Sequence, residues 1–545
     1  MTDQELYNVA LPETAAITMR DGARLDADIY RPDTEESFPI LLMRQPYGRR
    51  IASTVAYAHP EWYAARGYIV VIQDVRGRGS SSGYFDPFVN ELNDGWDTLE
   101  WLSKLPKTTG EVGMYGFSYQ GVSQFLALAS GHEALKAIAP AMAGFDIRKD
   151  MAWEGGVFCV QRNVAWAAQL TAETARKTGD DARFQDLYAL GHGPGQTDLL
   201  CPANERLQER LSGSHFSTWL DKPGDDAYWS DRSPHAFLES IEVPALYIGG
   251  WFDGFLEGTV RAFTAHGKAP CQLVIGPWAH LPWQRQVGDW DMGDAAHPSV
   301  IDHWQIDWFD AYLKGHNNGV NERAPVQLYD ITAHQWRELA HWPDAQYKRL
   351  YLDGDPRAQM GRLQPEPGSG QAILVHDPWR PAPDLGSHAS PTAGPRLRES
   401  IDQRPDVLSF DSEPFEEMTP VSGNVMVSLD AFSDVTSFDL HVTLSLVFPN
   451  GNCYNLANGV HRIASHEQPP YRIELRGICA TLFAQNTLRL SCAAAAFPAY
   501  ELNPGTGTPS ARVRACDHQI QTVRLTMGPN SYLALALPNT QTEDA

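Results

Sequence analysis

Ser118 stands between glycines in Gly116-Phe117-Ser118-Tyr119-Gln120-Gly121, after Val112-Gly113-Met114-Tyr115 and before the helix-compatible run Val122 to Ala129. A serine at a sharp strand-to-helix turn exposes its hydroxyl as a nucleophile. Gly116 and Gly121 leave room for the backbone to fold back beneath it. The spacing departs from G-x-S-x-G, because Gln120 occupies the place of the second glycine. The plainer reading is a Gly-Ser turn opening a helix. A serine hydroxyl attacks poorly unless a base takes its proton, and the base needs an orienting acid. Two later strand ends supply both, in the chain order Ser, acid, His. Asp253 follows Gly249-Gly250-Trp251-Phe252, and His280 closes Gly276-Pro277-Trp278-Ala279-His280. The 27 residues between them hold a helix and a strand, one sensible step across a sheet. Taken singly, Asp253 reads equally as a turn former and His280 as a satisfied core or surface histidine. Together, at three strand ends and in order, they point to a catalytic triad.

The surrounding chain has the elements such a triad needs. Ala16 to Met19 and Leu25 to Tyr30 flank Asp21-Gly22, a strong hairpin turn. Pro39 to Met43 and Tyr68 to Asp74 are short apolar runs of the kind found in buried strands. Asp94 to Leu105 has a helical period, and Ala137 to Pro140 reads as a further strand. Alternating strands and helices predict a parallel sheet covered by helices. From Phe145 to Ser240 the strand signal fades, and Trp153, Phe158, Val164, Trp166 and Leu170 suggest a helical insertion. Val243 to Gly250 and Leu273 to Gly276 resume the sheet, and Ile301 to Leu313 reads as a helix. Residues 377–405 form a Pro-, Gly- and Ser-rich loop. Alternating runs such as Val425 to Leu429 and Leu440 to Leu446 follow, as in a β-sandwich or jelly roll. The expected organisation is an α/β-hydrolase domain over 1–145 and 241–345, a helical cap over 146–240 and a jelly-roll β-sandwich over 346–545.

Composition narrows the function. The 545 residues are 43% hydrophobic and 20% charged, enough for several cores. Asp and Glu exceed Lys and Arg by 67 to 43, a net charge of −24. Such a field repels a phosphate backbone, so nucleic-acid binding is not expected. Met1 to Leu6 has neither a basic nor an apolar leader segment, and no stretch has the length and apolarity of a membrane span. Seven scattered cysteines without a C-x-x-C point to a reduced cytoplasmic protein without structural zinc. His303 and Asp307 share a helix face at i,i+4, but a solvated face explains them better than a metal. Gly77 to Gly83 is glycine-rich without phosphate-loop spacing. No cofactor, metal or membrane partner is expected, and a homo-oligomer is compatible with the sequence.

The motifs together resemble the CocE/NonD family of serine hydrolases. The likeness runs through Gln45-Pro46-Tyr47, Asp74-Val75-Arg76-Gly77, the Ser118 turn, Gly250-Trp251-Phe252-Asp253-Gly254, Gly276 to His280, Asp406-Val407-Leu408 and Phe497-Pro498-Ala499-Tyr500. It implies an α/β-hydrolase domain, an inserted helical cap and a C-terminal jelly roll. It also implies Ser118 as nucleophile, His280 as general base and Asp253 as its orienter. The Tyr119 backbone N–H and the Tyr47 hydroxyl would form the oxyanion hole; otherwise Tyr47 reads as a loop aromatic. Trp153, Trp166 and Phe255 match aromatics of the acyl pocket, or else pack the cap core. Two departures qualify the substrate. Gly386-Ser387-His388-Ala389-Ser390 is small and polar where members taking a benzoyl-sized acyl group are apolar. Gln120 provides no acid for a free α-amino group. The expected activity is hydrolysis of a small-molecule carboxylic ester or amide through an acyl-enzyme. An X-Pro dipeptidyl-peptidase or amide acylase is the runner-up. A binding protein with a vestigial hydrolase site is a third reading, against which the intact Ser118, Asp253 and His280 speak.

Overall fold

The computed structural model describes residues 6–50, 54–193, 199–224, 226–281, 283–296, 299–343, 346–354 and 360–537. The first sheet begins with β1 (Glu13–Thr18), β2 (Arg24–Tyr30), β3 (Phe38–Gln45), β4 (Ile69–Asp74), β5 (Thr108–Phe117) and β6 (Leu135–Ala141). After the cap, whose hairpin contributes β7 (Trp153–Glu154) and β8 (Val157–Phe158), it resumes with β9 (Ala245–Phe252) and β10 (Cys271–Ala279). The small pair β11 (Gln286–Val287) and β12 (Trp290–Asp291) intervenes before β13 (Val326–Asp330) and β14 (Gln335–Leu339). Its order is β1-β2-β4-β3-β5-β6-β9-β10-β13-β14. Every residue of β3, β4 and β9 is buried, as continuous apolar runs covered on both faces require.

The sheet is mixed rather than purely parallel. From β4 to β13 the neighbours pair parallel. At the two margins β2 and β14 run antiparallel. The cause at the first margin is the Asp21-Gly22 turn, where Gly22 takes φ 87° and folds β1 back on β2. The helices α1 (Pro60–Ala64), α2 (Glu91–Leu102) and α3 (Tyr119–Ala129) belong to this layer. Helix Ser299–Leu313 covers the sheet around Trp308, which is fully buried.

The insertion carries α4 (Val160–Thr178) and α5 (Asp181–His192), followed by short helices. It is not helical throughout. Trp153 and Phe158, expected on helices, pair across the β7–β8 hairpin. Gly155 and Gly156 form its turn with φ 53° and 83°. A Cβ on Gly155 would fall 1.8 Å from the Val460 carbonyl oxygen, so this turn also seats the cap on the C-terminal region.

Among the described residues, that region holds an eleven-stranded sheet. Its organising strand, Thr419–Ser433, pairs antiparallel with Tyr471–Leu482, Gln521–Thr526 and Tyr532–Leu537. The chain is an α/β-hydrolase fold followed by a C-terminal β domain. Among the described residues no helix is long and apolar enough to cross a membrane.

Candidate active site

Ser118 joins β5 to α3 and serves as the helix N-cap with φ 61° and ψ −125°. That backbone is strained for a residue with a side chain, and such strain persists only where the surroundings impose it. Three features impose it. The Ser118 N–H donates to the Ala141 carbonyl on β6 at 3.0 Å. Gly116, at φ 133°, lies so close to Gln120 that a Cβ would sit 2.5 Å from the Gln120 Cβ. Gly121 packs on Ala143, where an added Cβ would fall 2.5 Å from its methyl. Gln120 accounts for the departure from the usual spacing. Its side-chain oxygen accepts the Phe117 N–H at 3.1 Å, so it braces the turn.

The three motif ends converge because β5, β9 and β10 are parallel members of one sheet and end on the same side. His280 Nε2 lies 3.0 Å from Ser118 Oγ. Its Nδ1 lies 2.8 Å from Asp253 Oδ1. Asp253 is fully buried, while the His280 side chain remains 37% exposed. Phe255 presses edge-on against the imidazole, with ring centroids 4.6 Å apart. A serine, an imidazole and a carboxylate in this relay can pass a proton away from the hydroxyl as it attacks.

Tyr47 follows β3 on the neighbouring loop. Its N–H is held by the Gln45 side chain at 2.9 Å. Its hydroxyl accepts a hydrogen bond from Trp166 Nε1 at 3.1 Å and interacts with Ser118. Burial raises the phenol pKa, so it stays protonated and able to donate. Tyr119 begins α3, where the first backbone amides have no acceptor within the helix. Its own hydroxyl points away, donating to Glu91 at 2.9 Å, and its ring stacks on Phe88. The backbone N–H of Tyr119 at the start of α3 and the hydroxyl of Tyr47 on the loop after β3 thus both adjoin Ser118.

The three aromatics assigned to a pocket take different places. Phe255 touches His280, and Trp166 reaches Tyr47. Trp153 is buried in the cap, donating to the Trp219 carbonyl at 3.2 Å and packing on Phe158. Arg76 braces loops, bonding Asp94 at 2.6 Å and Asp21 at 2.7 Å. Asp307 is paired with Arg323.

A polar network behind Asp253 joins Gly254, His388 and Tyr500, which lie in segments singled out in the sequence, to Arg162, Glu154 and Arg476, which do not. Arg476 and Arg162 both donate to the carbonyl of Gly254, at 3.3 and 3.5 Å. Arg476 also bonds Glu154 Oε2 at 3.2 Å, which accepts from Tyr500 at 3.0 Å and lies 2.7 Å from His388 Nε2. Burial alone would raise the Glu154 pKa, but His388, and after it Arg476, hold it well below the usual carboxylate range. Arg476 escapes sequence reading because strand alternation with exposed Arg472 and Glu474 predicts that it faces solvent. A register shift opposite Gly423 and Val425 turns it inward instead.

The fold and this geometry define the class as a serine hydrolase with a C-terminal β domain. Residues 21–282 match the X-Pro dipeptidyl-peptidase (S15 family) domain, and residues 318–533 match the X-Pro dipeptidyl-peptidase C-terminal non-catalytic domain. Cocaine esterase of Rhodococcus sp. (strain MB1 Bresler) is 30% identical over 566 aligned positions, covering 97% of this chain and 99% of that protein. Two solved structures share the fold. An α-amino acid ester hydrolase has a TM-score of 0.79 at 22% identity, covering 99% of this chain and 98% of its own. A CocE/NonD family hydrolase from Staphylococcus aureus has a TM-score of 0.70 at 18% identity, covering 96% and 93%. The chain belongs to the CocE/NonD family of serine hydrolases.

Proposed function

We propose that Ser118 is the nucleophile of an esterase or amidase, with His280 as general base and Asp253 as its orienter. The observation that carries this is the Ser118–His280–Asp253 relay, with its hydrogen-bond distances of 3.0 and 2.8 Å. His280 takes the Ser118 proton as Oγ attacks the carbonyl carbon. The tetrahedral oxygen receives hydrogen bonds from the Tyr119 N–H and the Tyr47 hydroxyl. His280 returns the proton to the departing alcohol or amine, leaving an acyl-serine, which a water activated by His280 then hydrolyses. Phe255 and Trp166 line the acyl side, and Trp153 supports them from the cap.

An ester or simple amide fits better than a peptide with a free N-terminus. An α-ammonium needs an available carboxylate beside the nucleophile, and Gln120 is neutral and engaged with Phe117. Asp150 pairs with Arg261, and Glu154 is bonded to Arg476. The chain divides into a catalytic domain (1–145 and 241–345), a cap (146–240) and a β domain (346–545, read as a jelly roll), a division supported by the interruption of the first sheet between β6 and β9 and by the separate C-terminal sheet. Seven free cysteines support a reducing, cytoplasmic setting.

The test is a panel of p-nitrophenyl esters, p-nitroanilide amides and Gly-Pro-p-nitroanilide. Each is run with and without a serine-reactive phosphonate, and the adduct is located by mass spectrometry. Ester turnover lost in step with labelling of Ser118 supports the reading. Labelling elsewhere, or dominant turnover of Gly-Pro-p-nitroanilide, overturns it.

A further inference from the structure

On the far side of His215 from Trp166 lies a cavity of about 380 Å³, between the loop 77–87 and the cap. Its walls carry three cations, Arg78, Lys177 and Arg232, against a single carboxylate, Asp86. In a chain with a net charge of −24, that local balance is inverted.

The cations are only partly neutralised. Arg78 is 3% exposed, yet it spends its hydrogen bonds on neutral oxygens: the Pro46 carbonyl at 2.8 Å, the Leu170 carbonyl at 3.0 Å and Thr174 Oγ1 at 3.2 Å. Lys177 bonds the Ser81 carbonyl at 3.1 Å. Glu173, on the same helix, is taken by Arg176. Among the described residues only Arg232 of the three has a carboxylate partner, Asp86 at 2.9 Å. Two polar atoms in this wall, Arg232 Nε and His215 Nε2, are buried without a hydrogen-bond partner among the described residues.

The cavity adjoins the site. The His215 ring packs on Trp166 at 4.5 Å, and Trp166 bonds Tyr47. Arg78 holds the carbonyl of Pro46, the residue before Tyr47.

We propose that this cavity binds a carboxylate group on a small molecule. Guanidinium and ammonium groups in a partly desolvated cleft suit a carboxylate, and Phe85, Pro87 and Leu170 suit a short alkyl chain. The carboxylate has two sources: the far end of the substrate's acyl chain, or a free dicarboxylate bound beside the site. The first source rests on the hydrolase reading above; the second does not.

The test compares mono-p-nitrophenyl adipate with p-nitrophenyl hexanoate on the full chain, and measures adipate binding by calorimetry. The variants are Lys177→Gln, Lys177→Glu and Arg78→Gln; if Arg78→Gln fails to fold, the Lys177 pair carries the test. Substrate capture predicts a kcat/KM preference for the adipate ester of roughly tenfold or more, reduced by a similar factor in Lys177→Glu. The preference also weakens with salt, while hexanoate turnover is unchanged. A separate anion site predicts no ester preference but adipate binding that Lys177→Glu abolishes. Absence of both in an enzyme that turns over hexanoate overturns the proposal. So does a preference or binding that survives every folded variant. An enzyme inactive on hexanoate that still binds adipate would sink the hydrolase reading and leave the anion site standing.

Discussion

Trp166 Nε1 stands 3.1 Å from the hydroxyl of Tyr47 and fixes the direction of that phenol. An indole N–H can only donate, so the phenol oxygen must accept from it. The phenol's own proton is then free to point toward Ser118, with which the hydroxyl interacts. A cap residue thereby orients the hydroxyl proposed as an oxyanion donor, on the loop that follows β3. Preorganisation of this kind is what makes a donor effective when charge develops.

Replacing Tyr47 by Phe keeps the ring and removes the donor. The expected result is a fall in kcat of roughly 10²–10³-fold with little change in KM, because the bond strengthens mainly in the transition state. Steady-state kinetics on a p-nitrophenyl ester measures this. A fall of less than about threefold in a variant of unchanged thermal stability would exclude the hydroxyl as a transition-state donor.

Trp166→Phe should act on kcat through Tyr47, while loss of its acyl-side contact is read in KM. Loss of one neutral hydrogen bond, about 0.5–1.5 kcal/mol, predicts a fall in kcat of roughly two- to tenfold. In the Tyr47→Phe background the same change should cost almost nothing further. Additive losses in the double variant would show that Trp166 acts independently, by packing.

Ser118→Ala removes the nucleophile from a relay whose members act as a unit, so kcat should drop by about 10⁶-fold. Far-UV dichroism and the melting temperature should remain near wild type. Retention of several per cent of the activity, with contaminating hydrolases excluded, rules out Ser118.

The β domain should be required for activity. Arg476 holds the Gly254 carbonyl beside Asp253, and Thr481 bonds both carboxylate oxygens of Asp330 at the end of β13. A chain truncated after residue 345 leaves these partners empty and uncovers apolar surface, so it should aggregate or lose turnover. Arg476→Met in the full chain isolates the first contact. It should lower kcat/KM and the melting temperature, with partial recovery in Arg476→Lys. A soluble, fully active truncation would refute this coupling.

Stability should fall on the acid side. Burial pushes His215 down to about 3 and His376 and His441 down to about 4. Their unfolded value is near 6.5, so between pH 6.5 and about 4 the unfolded chain binds more protons than the folded one. Their contribution is therefore complete above pH 6.5 and is lost as the pH drops through that window. Asp384, raised to about 6 by burial, works in the opposite sense over part of it. So do Asp74, Glu91, Glu257, Asp302 and Glu501, whose carboxyls burial also raises. His266, His388 and His518, also lowered by burial, act in the same sense as the three histidines. Melting temperatures from pH 7.5 to 4.5 should decline below about pH 6.5, and His441→Gln should flatten the decline. A melting temperature that holds or rises toward pH 4.5 contradicts this assignment.

The Ser118–His280–Asp253 arrangement was legible because each of its members belongs to a short local pattern. Gly116 and Gly121 permit the turn at Ser118, and apolar runs mark the strands that end at Asp253 and His280. Local backbone preference and burial are written in contiguous residues, so strand ends and their chain order can be read directly. The Gly155-Gly156 hairpin was missed because its two-residue strands are too short to show a period. What only the tertiary structure decided lies between distant segments. The Tyr47–Trp166 bond spans 119 residues, and the Arg476–Gly254 bond spans 222. The inward turn of Arg476 depends on a bulge in a pairing that no local pattern encodes. The cationic cavity unites residues from the loop 77–87, α4 and the segment 213–232. Such contacts arise from how the cap and the β domain dock on the sheet. That docking depends on the packing of whole surfaces rather than on any neighbourhood in the chain.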